Sequence, residues 1–187
     1  MKKQYPKESF IRSWYWDKKE CDKLISYFKK NKKFQQPGIT SNGVEPDVKE
    51  STDLWLLPSN KIFINYNKYL NTCVKDYENT YDLELSKFGT TPVYGDRYNI
   101  QYYKPAEGYK KWHCERGNLR NTHRQFVFMT YLNDVKDGGT EFKFQKITTE
   151  AKKGLTLLWP SDFTHTHRGQ ITHNSEKYIV TGWLSYV

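Results

Sequence analysis

The residue types best suited to chemistry lie in the second half of the chain. His113-Cys114-Glu115 sets an imidazole and a carboxylate two positions apart. In an extended strand, residues i and i+2 point to the same face. An H-x-E therefore offers a nitrogen and an oxygen donor side by side. Far downstream, His165-Thr166-His167-Arg168-Gly169 supplies two more imidazoles. These two share strand parity, so alternation alone does not choose between them as a third ligand. By itself an H-x-E is a weak signal, because a surface histidine beside a solvated glutamate reads the same way.

Two imidazoles and one carboxylate on one octahedral face leave three positions open. That set suits non-haem Fe(II), which must also accept an organic chelator and O2. Lys177 stands ten positions after His167 and twelve after His165. It opens the apolar run Tyr178-Ile179-Val180-Thr181-Gly182-Trp183. An inward-facing lysine there needs a partner, and its ammonium can bind a carboxylate as a point charge. An outward-facing one is only an exposed strand lysine.

The elements that must position these residues follow from periodicity. Asp17-Lys18-Lys19-Glu20 has the form of a capping box, with Asp17 as cap and Glu20 reaching back. Cys21, Leu24, Ile25 and Phe28 then recur at helical spacing, which predicts an amphipathic helix over about residues 17–32. A loop is expected from Gln35 to Ser51. A second helix is expected over about residues 59–82, burying Ile62, Phe63, Tyr66, Tyr69, Leu70, Cys73 and Tyr77. From Val93 onward short β-rich runs appear: Tyr98 to Tyr103, Phe126 to Leu132, Leu155 to Trp159 and Tyr178 to Tyr186. Asp137-Gly138-Gly139 and Lys153-Gly154 mark turns between them. Helices first and short strands afterwards predict a mainly β fold with flanking helices, a jelly-roll barrel buttressed from its N-terminal side.

Composition bounds the rest. A chain of 187 residues fits one domain, 1–187, with residues 1–90 as helical support and first strands and residues 91–187 as the catalytic core. Aromatics are 17 % of residues, enough to close a core despite a mean hydropathy of -0.91. No apolar run approaches the roughly 20 residues a bilayer requires, so no membrane association is expected. Cys21, Cys73 and Cys114 are odd in number and lack metal-like spacing, and are read as reduced thiols in the cytoplasm. The net charge of +9 favours acidic partners. Many of the lysines surround the first helix, where a solvated face accounts for them, so nucleic acid is not the favoured partner. His123 and His173 are read as loop or surface residues.

Taken in order, the blocks of residues 90–187 resemble the prolyl 4-hydroxylase-like branch of the 2-oxoglutarate/Fe(II) dioxygenases. Tyr103, Gly108-Tyr109 and Trp112-His113-Cys114-Glu115 resemble its Tyr…Tyr…H-x-D stretch. Arg124, Thr130-Tyr131-Leu132-Asn133-Asp134-Val135 and Gly138-Gly139-Thr140-Glu141-Phe142 resemble its central hairpin. Lys153-Gly154 leads into its penultimate strand, and His167-x-Gly169, Lys177 and Trp183 complete the match. Lys49-Glu50-Ser51-Thr52-Asp53 is similar to the strand that enters the family's core. The Phe10-Ile11 pair and the Cys21/Leu24/Ile25 helix are similar to its N-terminal helix.

The resemblance implies a double-stranded β-helix and a hydroxylase using Fe(II), 2-oxoglutarate and O2, with succinate and CO2 as co-products and ascorbate as an accessory reductant. His113, Glu115 and His167 would bind iron, with His165 as a core residue. Lys177 and Tyr103 would bind the far carboxylate of 2-oxoglutarate, and Arg124 and Trp183 would stand on the substrate side. Glu115 replaces the usual aspartate, Val127 replaces a threonine that often supports 2-oxoglutarate, and one extra residue separates Tyr103 from His113. A peptidyl proline is the first substrate the resemblance implies. A free amino acid or other small molecule, a nucleic-acid base, and a non-catalytic binding module are the alternatives. The Lys/Asn/Tyr-rich composition is similar to that of small oxygenases carried by viruses and their hosts, which suggests a virus-encoded protein of the host cytoplasm.

Overall fold

The computed structural model describes residues 5–83 and 97–185. Strand β1 (Arg12–Tyr15) precedes helix α1 (Lys18–Lys30), followed by β2 (Gln36–Pro37), β3 (Lys49–Glu50), β4 (Thr52–Leu56) and helix α2 (Ile64–Tyr81). The second half carries β5 (Tyr98–Tyr103), β6 (Gly108–Tyr109), β7 (Arg124–Tyr131), β8 (Thr140–Phe142) and β9 (Ile147–Thr148). Strands β10 (Leu155–Pro160), β11 (His167–Gly169) and β12 (Lys177–Ser185) complete it. The major sheet has the order β1-β10-β7-β12-β5-β4-β2, and a smaller one has the order β11-β8-β9. Strands β3 and β6 pair separately. The architecture is a mainly β jelly roll with two flanking helices.

Strand β12 shows why the barrel forms. Eight of its nine residues are buried, because both faces of a central strand are covered. Alternation sorts them by face. Tyr178, Val180 and Leu184 pack with Phe126, Phe128 and the helices in one core cluster. Ile179 and Trp183 join Val127, Met129 and Tyr131 in the barrel interior. Gly182 lets this packing close, since a Cβ there would sit 2.4 Å from the Phe128 ring.

Both helices cover the outer face of the major sheet. Along α2 and the turn that leads into it, Phe63, Tyr66, Leu70, Cys73 and Tyr77 are buried, and Ile62 and Tyr69 are partly so. That turn, Lys61–Phe63, is a 3-10 helix capped by Asn60, whose side chain accepts from Ile62 N at 3.1 Å. Asp17 caps α1 by accepting from Lys19 N at 2.7 Å. Glu20 does not complete the expected box. It pairs with Lys23 and accepts from Asn65 across the helix pair instead. Side-chain donors on Lys23 and on the neighbouring helix win there over the N-terminal backbone N–H.

The N-terminal part carries strands as well as helices: β1 pairs with β10 and β4 pairs with β5, both extending the major sheet. One further expectation is corrected. The segment from Gln35 to Ser51 is not all loop, because it holds β2 and β3. The onset of β character at Val93, the division at 90/91 and Tyr186 lie outside the described residues. No described helix is long and apolar enough to cross a membrane, and all three cysteines are free thiols.

Candidate metal centre and co-substrate pocket

The H-x-E is not in a continuous strand. His113 forms a single antiparallel bridge with His167, through His113 N to His167 O at 3.0 Å and His167 N to His113 O at 2.8 Å. Glu115 N then donates to Ser161 O at 2.9 Å, just past β10. These backbone bonds hold the two residues against different strands, and the side chains still converge. Donor atoms of His113, Glu115 and His167 all lie within 4.8 Å of one another.

The donor chemistry fits a cation. Nδ1 of His113 faces the Lys111 carbonyl at 3.0 Å, and Nδ1 of His167 faces the His165 carbonyl at 2.8 Å. A carbonyl only accepts, so each ring proton sits on Nδ1 and each Nε2 lone pair is left for a metal. Those Nε2 atoms lie 3.4 Å and 3.7 Å from Glu115 Oε1. Burial, and then His113 beside it, pushes His167 below the ordinary histidine range, toward the neutral form that coordinates. Burial raises the Glu115 pKa, but hydrogen bonds and charge from the two histidines, when protonated, outweigh it and hold the carboxyl well below its usual range; a cation in their place would act in the same direction. Tyr109 stacks on the His113 ring at 3.5 Å.

His165, the competing ligand, is engaged elsewhere. Its Nε2 donates to Ser9 O at 2.8 Å, and its Nδ1 lies 2.8 Å from Thr164 Oγ1. His123 is half-buried and His173 exposed. Neither joins the cluster.

A cavity of about 500 Å³ opens on the three ligands. Strand parity brings Lys177 and Trp183 from β12, Tyr103 from β5, and Val127 and Tyr131 from β7 to its wall. Lys177 is 4 % exposed, and burial lowers its ammonium pKa to about 8. It donates to the carbonyls of Gln170 at 3.0 Å and Gly138 at 3.2 Å. Among the described residues no carboxylate pairs with it. Tyr103 lies beneath the ammonium, but its hydroxyl donates to Gln101 Oε1. Arg124 stacks on Trp183, and Trp183 Nε1 donates to Glu115 Oε2 at 3.1 Å.

Residues not singled out from the sequence also line the cavity. Trp55, Gln101, Met129 and Thr140 become visible only when β4, β5, β7 and β8 are paired. Tyr131 shares the parity of Val127, and its hydroxyl is satisfied by Thr140 at 2.7 Å and Thr149 at 3.0 Å. Alternation along β7 was the available signal for it.

Residues 98–185 match the model of the 2OG-Fe(II) oxygenase superfamily. Among curated proteins, none matches the sequence significantly. Similar folds occur in solved prolyl hydroxylases. The viral collagen prolyl hydroxylase of Paramecium bursaria Chlorella virus-1, solved with 2-oxoglutarate, is 18 % identical, with 95 % of this chain and 97 % of that one covered and a TM-score of 0.70. A Trichoplax adhaerens prolyl hydroxylase, solved with a hypoxia-inducible-factor peptide, is 16 % identical over 95 % and 84 % of the chains at 0.73. A Pseudomonas putida prolyl-4-hydroxylase is 14 % identical over 96 % and 94 % at 0.72. At these identities the likeness is one of fold. The family match covers the part of the chain that holds the His/Glu/His cluster, and the chain as a whole shares its fold with solved prolyl hydroxylases. The family implies Fe(II), 2-oxoglutarate and O2.

Proposed function

We propose that the protein hydroxylates a C–H bond of a peptidyl proline, consuming 2-oxoglutarate and O2 and releasing succinate and CO2. The observation that carries this reading is Lys177. A buried ammonium without a carboxylate partner among the described residues shares one cavity with a His/Glu/His cluster. A five-carbon diacid answers both needs, one end at the metal and the other at the lysine.

In this reading His113 Nε2, Glu115 Oε1 and His167 Nε2 hold Fe(II), which when bound supplies the oxidation of the C–H bond. Lys177 pairs with the far carboxylate and sets the co-substrate's length, with the Tyr103 ring beneath it. Trp55, Met129, Val127 and Trp183 exclude water from the reacting face. Ile39, Thr40 and Ser41 from one segment and Asn118, Arg120 and Asn121 from another form a rim suited to a peptide backbone. The whole-chain likeness to prolyl hydroxylases favours proline among substrates.

The test offers Fe(II), 2-oxoglutarate and ascorbate with proline-containing peptides, free amino acids and methylated oligonucleotides. Succinate release and the mass of each candidate are measured. A prolyl peptide gaining one oxygen is the expected result. Turnover confined to an amino acid or a base would overturn the proline assignment, and no substrate-dependent succinate anywhere would overturn the oxygenase reading.

A further inference from the structure

The two oxygens of Glu115 have different surroundings. Oε1 faces both histidine Nε2 atoms, at 3.4 Å and 3.7 Å. Oε2 accepts from Trp183 Nε1 at 3.1 Å and lies 3.6 Å from Arg124 Nη1. The same Nη1 donates to the Glu115 backbone carbonyl at 3.3 Å, so one guanidinium engages both ends of the residue. The donor that meets Oε2 is itself held by stacking. The Arg124 guanidinium lies 3.5 Å from the Trp183 ring centre, and Trp55 stacks on that ring at 6.1 Å with 18° between planes.

We infer that Trp183, with Arg124, is a positioning residue that makes Glu115 a one-oxygen metal ligand. The inference rests on the metal-centre reading above and gives these two side chains a task beyond the substrate side. A glutamate has one more rotatable bond than an aspartate, so its carboxylate can swing to bind a metal through both oxygens. Two-oxygen binding would fill one of the positions the co-substrate and O2 need. Donors on Oε2 oppose that swing and keep Oε1 forward. Glu115, Trp183 and Arg124 thus form a matched set in which a longer ligand is steadied by an indole N–H.

Co(II) binding to the whole protein tests this, read by its visible absorption bands, whose intensity falls as coordination number rises. The wild type is compared with Trp183→Phe, Glu115→Asp and the double variant, each with a thermal melt. Trp183→Phe keeps a smaller stacking ring and removes the N–H. It should weaken Co(II) binding about tenfold and dim the bands, as loss of an outer hydrogen bond to a ligand does, with little change in Tm. Aspartate on the metal does not reach Trp183, so in the Glu115→Asp background the same change should cost less than about twofold. Equal losses in both backgrounds, or an unchanged affinity and spectrum in Trp183→Phe, would overturn the inference. A wild-type protein that binds no Co(II), or whose binding survives His167→Ala, would instead remove the metal reading on which it stands.

Discussion

Lys177 and Tyr103 face each other across β12 and β5, with the ammonium 5.2 Å from the ring centre. The tyrosine hydroxyl is turned to Gln101, so the lysine relies on two backbone carbonyls. A buried cation held by neutral acceptors costs stability until an anion arrives. In the proposed function, this pairing leaves the ammonium available to an anionic co-substrate.

Replacing Lys177 with methionine should therefore separate stability from function. The variant should melt at a higher temperature near neutral pH, by the equivalent of about 1–3 kcal/mol, because a buried charge gives way to an apolar chain of similar length. Its affinity for 2-oxoglutarate should fall at least about a hundredfold with the loss of a buried charge pair. Calorimetric melting and isothermal titration on Mn(II)-loaded protein check the two effects. A variant that keeps wild-type affinity would refute the clamp.

The same lysine sets a pH dependence whose sign can be worked out. Burial lowers it to about 8 in the folded chain, against about 10.4 when unfolded. Between those values the unfolded state holds the extra proton. The lysine's destabilising effect is thus full below about pH 8 and fades as pH rises toward about 10.4. Co-substrate binding runs the other way, since the diacid needs the charged ammonium. Affinity should be flat below about pH 8 and fall toward tenfold per pH unit above it. Titration of 2-oxoglutarate across that range reads the profile directly.

The two neighbouring histidines should respond in opposite ways. His167→Ala should abolish metal binding while leaving the fold intact. His165→Ala should leave metal binding within about threefold and cost about 1–3 kcal/mol, because Ser9 O loses its buried donor. Metal titration and urea unfolding of both variants make the comparison. Loss of metal in the His165 variant alone would reverse the ligand assignment.

Gly139 should tolerate no side chain. A Cβ there would lie 1.8 Å from the Thr149 carbonyl oxygen and 3.2 Å from Gln170 Oε1. The next carbonyl upstream, at Gly138, accepts from Lys177. Gly139→Ala should thus destabilise by roughly 1–3 kcal/mol and weaken 2-oxoglutarate binding more than metal binding. Equal weakening of both ligands would mean the turn acts on the barrel as a whole.

Much of this protein was legible in its residues. Helical spacing located α1 and α2, with their buried faces, because an amphipathic helix must bury one stripe and its period is local. The H-x-E, the downstream histidines and Lys177 marked the candidate site by type and order. What the chain alone could not decide was register. Alternation left His165 and His167 equivalent, and only the bridge between His113 and His167 brings one ring to Glu115 while the other turns to Ser9. The same holds for Glu20, drawn from its cap to Asn65, and for β1 and β4, whose partners lie far along the chain. Period and residue type act over a few positions. Which of two equivalent faces or acceptors wins depends on contacts closed over long loops, and those exist only once the barrel has formed.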